Sequence, residues 1–155
     1  MMLTEKGKTL IKVLYIVYII LLICFIFSNS MASKEESAGV SEGVLAFVNG
    51  VLESVGLPFA FEHSFVRKAA HVIEFMTLGA SLFGFLILNK TVSRKNCIYC
   101  AFLSSLVAMS DETIQYFFER GSMLLDVWLD SFSAYVGILI VFVIYHFISL
   151  RKKIS

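Results

Sequence analysis

The sequence predicts an all-α, polytopic membrane protein: four transmembrane helices, both termini cytoplasmic, and a short amphipathic extracellular helix. Three observations carry this. The 155 residues are 58% hydrophobic and only 16% charged, with a mean hydropathy of +0.83, where a soluble domain carries about 25% charge. Four apolar runs are each long enough to cross the roughly 30 Å hydrocarbon core. Lysine and arginine concentrate at one set of the ends of those runs. A water-soluble fold of this size could not hide so much apolar surface, and one membrane domain spanning residues 1–155 accounts for the whole length.

The first run, 10–27, is interrupted only by Lys12. Lys6, Lys8 and Lys12 before it, and the small Ser28 and Ser30 after it, also fit a signal peptide. The run is long for a cleaved segment, and its aromatic and β-branched residues continue almost to Ser28, which favours a retained helix. Residues 28–66 form the longest polar stretch. Within it Val40, Val44, Phe47, Val48, Val51 and Val55 recur at helical spacing, with Glu42, Asn49 and Glu53 on the other side, before Gly56 and Pro58. This is an amphipathic helix, lying either on the membrane or packed within the loop. The remaining spans are 69–88, 97–118 and 124–150. Backbone in lipid must satisfy itself, and these runs are too long and continuous for barrel strands.

Positive charge sets the orientation. Lys6, Lys8, Lys12, Lys90, Arg94, Lys95, Arg151, Lys152 and Lys153 share one face; Lys34, Arg67, Lys68 and Arg120 share the other. Nine against four puts the first face in the cytoplasm. Cys97 and Cys100 form a lone C-x-x-C pair inside an apolar run, and with Cys24 they read as buried, inert thiols rather than a redox or zinc site. His63 falls in the outer loop and His146 stands alone near the inner end of the last span. Trp128 suits an interface anchor. No phosphate-cradling glycine loop, serine elbow or basic nucleic-acid-binding patch is present.

Ionisable residues inside spans are functional-site candidates, because hydrocarbon disfavours them. His71 and Glu74 lie just inside the second span, Asp111, Glu112 and Gln115 late in the third, and Asp126 and Asp130 early in the fourth. At 1.5 Å per residue Glu74 is only about 10 Å from Arg67, so all of these groups fall in the outer part of the bilayer. Arg67, His71 and Glu74 share one helical stripe. Asp111, Gln115 and Glu119 share another, continued inward by Ser104 and Ala108. Asp126, Asp130, Ser133 and Gly137 share a third, which ends in small residues that permit close helix approach. Six carboxylates (Glu74, Asp111, Glu112, Glu119, Asp126, Asp130) face three cations (Arg67, Lys68, Arg120). The excess must be protonated, hydrated or matched by a bound cation. A divalent ion on His71, Glu74, Asp111 and Asp126 is one solution; an ion-pair and hydrogen-bond network fastening three helices is the other. Arg120 is the expected partner of Asp126 or Asp111, since its fork satisfies a carboxylate twice.

These residues resemble the VanZ-like family of bacterial membrane proteins. The resemblance is carried by Phe27-Ser28, RKAAHVIEF (67–75), SDETIQYFFER (110–120) and LDVWLDSFSAYVG (125–137). It follows the pattern Lys-x-x-His-x-x-Glu-aromatic, Asp-Glu-x-x-Gln, a following arginine, and two aspartates four apart. Lys68, His71, Glu74, Asp111, Glu112, Gln115, Arg120, Asp126 and Asp130 occupy these positions. The family often has Pro-Gly where Phe118-Glu119 stands, and Gly where Ser133 stands. The resemblance implies a bacterial plasma-membrane protein connected with reduced susceptibility to teicoplanin-type glycopeptide or lipoglycopeptide antibiotics. The polar groups would then bind or modify a surface lipid, a peptidoglycan precursor or the antibiotic, with a carboxylate and His71 as acid and base if chemistry occurs. A non-catalytic scaffold is the alternative. Transport fits less well, because the inner halves of the spans are apolar.

Overall fold

The computed structural model describes residues 5–32, 34–54, 56, 61–118 and 124–154, and every regular element among them is an α-helix: α1 (Glu5–Met31), α2 (Lys34–Ser54), α3 (His63–Leu88), α4 (Arg94–Phe117) and α5 (Leu124–Ile154). Four of these, α1, α3, α4 and α5, are long and apolar enough to cross a membrane. Even the 24 residues of α4 extend about 36 Å at 1.5 Å per residue, more than the hydrocarbon core requires. Large apolar side chains cover the outside of the bundle, including Leu14 and Leu21 on α1, Ile98 and Phe102 on α4, and Leu139 and Phe147 on α5. Contiguous apolar surface on this scale is what a lipid-facing exterior presents, not a wetted one.

Pairwise contacts fix the helix directions. Lys68 meets Asp126 at the start of both helices and Phe83 meets Phe142 further along, so α3 and α5 run parallel. Tyr15 Oη donates to Ser81 O, and Asn29 on the last turn of α1 reaches Glu74, so α1 runs against α3. The hydroxyls of Ser105 and Tyr135 share a 2.6 Å hydrogen bond, and Asp111 lies beside Asp130, so α4 runs against α5. One end of the bundle therefore gathers the last turns of α1 and α4 with the first turns of α3 and α5. The opposite end holds the start of α1, the α3–α4 turn and the end of α5.

That turn is built without glycine. Lys90 adopts a left-handed φ of 56°. Its N–H bonds to Ile87 O and the Thr91 N–H to Leu86 O, the paired closure that satisfies carbonyls at a helix end. Ser93 then caps α4 by accepting the Asn96 N–H. Between α3 and α5 the backbones touch. A Cβ at Gly79 would collide with the carbonyl of Ala134, and one at Gly137 with the carbonyl of Met76. Phe75, Leu78, Leu82, Ile26, Val107, Ala108 and Ala134 fill the core around this contact.

The four expected spans are present, with longer helices than the apolar runs alone suggest. α1 continues past residue 27 because Asn29 and Ser30 point inward to carboxylates of α3 and α4, so polar residues extend the helix instead of ending it. α3 begins at His63 rather than Ala69, since Arg67 and Lys68 can lie on its polar end. The expected loop 28–66 is thus largely helical, and α2 starts at Lys34, ahead of Val40. Gly56, at φ 74°, follows the end of α2. Asn49 ties α2 to the segment before α3 by accepting the Phe61 N–H at 3.0 Å. Phe47 and Val51 of α2 are exposed. Val55 and Pro58 lie outside the described residues.

Candidate functional site

Among the described residues, the stripes read from the sequence on α4 and α5 turn inward. On α4 the buried set is Cys100, Ser104, Val107, Ala108, Asp111, Glu112 and Gln115, recurring every three or four residues as one face of a helix must. On α5 Asp130, Ser131, Ser133 and Ala134 are buried. Small buried residues, Ser104 and Ala108 on α4 and Ser133 and Ala134 on α5, continue both faces beyond the polar residues.

Four helices contribute to the polar end. Asp111 is its centre. Oδ1 accepts from Ser30 Oγ at 2.6 Å, Oδ2 accepts from Gln115 Nε2 at 2.9 Å, and Gln115 Nε2 also lies 3.3 Å from Ser30 Oγ. His71 Nδ1 stands 3.7 Å from Asp111 Oδ2 and 4.0 Å from Glu74 Oε2. Glu74 Oε1 accepts from Asn29 Nδ2 at 2.6 Å. Toward the rim, Lys68 Nζ bonds Asp126 Oδ1 at 2.8 Å. Arg67, Lys68, His71, Glu112, Gln115, Asp126, Leu129 and Asp130 line a narrow cleft of about 10 Å³, room for one water-sized occupant.

Nine of the ten predicted site residues are described, and all nine belong to this end: Arg67, Lys68, His71, Glu112, Gln115, Asp126 and Asp130 line the cleft, and Glu74 and Asp111 lie behind His71. Arg120 and Glu119 lie outside the described residues, and so does the expected pairing of Arg120 with Asp126 or Asp111. Of the expected metal ligands His71, Glu74, Asp111 and Asp126, His71 and Asp111 group with Asp130, the three bringing one ligand atom each to within 4.8 Å of one another. Glu74 Oε2 lies 4.0 Å from His71 Nδ1, and Asp126 pairs with Lys68 nearer the rim. Asn29 and Ser30 join the site beyond the residues expected from the sequence, where their signal is two polar residues closing an apolar helix at the depth of the carboxylates.

His146 and the cysteines stand apart. His146 stacks on Phe142 toward the far end of α5. Cys24, Cys97 and Cys100 are free thiols, but only Cys100 is buried as expected: Cys24 is exposed on the apolar outside of α1 and Cys97 is partly exposed, since neither falls on a packed helix face; Cys97 and Cys100 lie in the half of α4 remote from Asp111.

Chemically, the site offers cations at the rim, carboxylates and an imidazole within, and hydroxyl and amide donors fixing the innermost carboxylate. A comparison with curated proteins gives no match, and neither does one with solved structures. The sequence model of the VanZ/LLP1 family, in contrast, matches residues 15–145, from the middle of α1 to near the end of α5 and across every residue of the cleft. The chain belongs to the VanZ/LLP1 family.

Proposed function

We propose that this protein acts in the bacterial plasma membrane with both termini in the cytoplasm. Its polar cleft opens to the outer face and binds a surface lipid, a peptidoglycan precursor or a glycopeptide-type antibiotic, lowering susceptibility to that antibiotic class. The supporting observation is the polarity of the bundle along its axis. Charged side chains of α3, α4 and α5 converge at one end, while Lys90, Arg94, Lys95 and Arg151 belong to the other. The positive-inside bias favours the second end as the cytoplasmic one, which supports a cleft that faces out. There Arg67 and Lys68 suit phosphate or carboxylate on a ligand, and the inner carboxylates suit an amine or cation.

A second reading is favoured by the bonds Ser30–Asp111–Gln115 and Asn29–Glu74: the network is a fastener for the helices and the protein a non-catalytic scaffold. Glu74→Gln separates the two. The amide keeps the shape, and its oxygen still accepts from Asn29, but the charge is gone. With a working cleft, teicoplanin or lipoglycopeptide susceptibility rises to that of cells lacking the protein, while membrane abundance and melting temperature hold. With a fastener alone, abundance and stability fall together with the phenotype. A variant normal in all three measures would remove Glu74 from either role.

A further inference from the structure

Asp130 is buried on α5 one turn inward of Asp126, at 2% exposure, and lines the cleft. Among the described residues its carboxylate accepts no hydrogen bond and joins no ion pair, although its neighbours do. Asp126 has Lys68, Glu74 has Asn29 on Oε1 though nothing on the buried Oε2, and Asp111 has Ser30 and Gln115. A buried carboxylate is strongly disfavoured unless something compensates its charge. Nearby lie an imidazole nitrogen of His71 and an oxygen of Asp111, the three ligand atoms falling within 4.8 Å of one another.

We propose that His71, Asp111 and Asp130 hold a divalent cation of the Zn²⁺ or Mn²⁺ type. Three features carry this beyond a cluster of acids. First, the donors come from three different helices and meet at one point. The 3.7 Å between His71 Nδ1 and Asp111 Oδ2 is close to the roughly 3.3 Å that two ligands adopt when they share an ion at about 2.0–2.2 Å. Second, Asp111 is oriented from behind by Ser30 and Gln115, the kind of outer bonds that hold ligating carboxylates in place. Third, three protein ligands leave a coordination position open, and the cleft beside them, about 10 Å³, accommodates one water. One imidazole with two carboxylates selects the ion class. Mg²⁺ and Ca²⁺ take oxygen-only sets, whereas Zn²⁺ and Mn²⁺ accept nitrogen with oxygen. The inference rests on the cleft being a binding site, and it names what the acidic interior would bind: a cation that in turn draws a phosphate or carboxylate of the ligand past Arg67 and Lys68.

Purified full-length protein in detergent, stripped with EDTA, would be titrated with Mn²⁺ and followed by electron paramagnetic resonance. Zn²⁺ reloading would be measured in parallel by elemental analysis. The expected result is one ion per chain. Affinity should be lost in Asp130→Asn and His71→Gln, fall roughly tenfold to hundredfold in Ser30→Ala, and hold in Ser105→Ala, remote from the cleft. Circular dichroism and size exclusion establish folding of each variant. If Asp130→Asn does not fold, His71→Gln and Ser30→Ala decide. Absence of stoichiometric binding in the unaltered protein would overturn the proposal, as would undiminished affinity in folded His71→Gln. Raised antibiotic susceptibility in cells lacking the protein alongside no ion binding would reject the cation and retain the envelope-ligand reading; stoichiometric binding with unchanged susceptibility in cells lacking the protein would do the reverse.

Discussion

Ser30 Oγ, on the last turn of α1, donates a 2.6 Å hydrogen bond to Asp111 Oδ1 on α4, 81 residues away, and both side chains are fully buried. The bond ties the most lipid-exposed helix of the bundle to its most polar site. Hydrogen bonds to charged groups contribute about 1.5–3 kcal/mol in soluble proteins, and interhelical ones in membranes about 0.6–1.7 kcal/mol. Ser30→Ala should therefore lower unfolding stability by about 1 kcal/mol, toward the membrane figure, because Gln115 still serves the other oxygen. Reversible unfolding in mixed micelles measures this. An unchanged midpoint would mean that the bond contributes nothing to holding α1.

The convergence of α3, α4 and α5 was legible in the sequence because charge in a span has few places to go. Once the helix directions are set, i, i+4 and i, i+7 spacings leave one interior face for His71 and Glu74, for Asp111 and Gln115, and for Asp130. The contribution of α1 was not legible. Asn29 and Ser30 follow an apolar run where a helix end or cleavage site would also place small polar residues, and only the packed partner tells these apart. The exchange of Asp126 for Asp130 among the metal-ligand candidates has a similar cause. Both aspartates lie on one stripe, one turn apart, and spacing alone cannot say which is nearer the imidazole and which the lysine.

Close approach of α3 and α5 is another consequence of composition. Gly79 faces the backbone of Ala134, and Gly137 faces that of Met76, with no space for a methyl group at either. Neither obstacle is a flexible side chain that could swing away, so the helices themselves must separate. Gly79→Val and Gly137→Val should each cost about 1–3 kcal/mol or more, as overpacking does, and should widen the polar end by displacing α5. Melting temperature in detergent checks the first effect, and reduced membrane abundance should accompany it. A valine variant as stable as the parent would show that α3 and α5 are not in backbone contact.

Lys68 and Asp126 meet at 2.8 Å, but the lysine side chain is 46% exposed. Exposed pairs typically contribute 0.2–1 kcal/mol, and salt weakens them. A double-mutant cycle of Lys68→Met and Asp126→Asn should give a coupling of roughly 0.5 kcal/mol or less at physiological ionic strength. Raising the salt should shrink it further. A coupling of several kcal/mol would mean that the rim is drier than its exposure indicates and that the pair belongs to the structural core.

Sidedness follows from where the cations lie relative to the helix ends. The α3–α4 turn carries Lys90, and Arg94 and Lys95 open α4; that end also receives Arg151. Glu62 precedes α3 at the polar end, ahead of the cleft-lining Arg67 in the chain. In a background with Cys24, Cys97 and Cys100 replaced, a cysteine at Thr91 should resist a membrane-impermeant maleimide in intact cells and react once the cells are opened. A cysteine at Glu62 should react in both. Thr91 and Glu62 are both exposed, so contrasting reactivity would report the side of the membrane and not burial. Labelling at Thr91 in intact cells, with Glu62 protected, would invert the protein, place the cleft on the cytoplasmic face and exclude direct contact with a ligand in the outer leaflet.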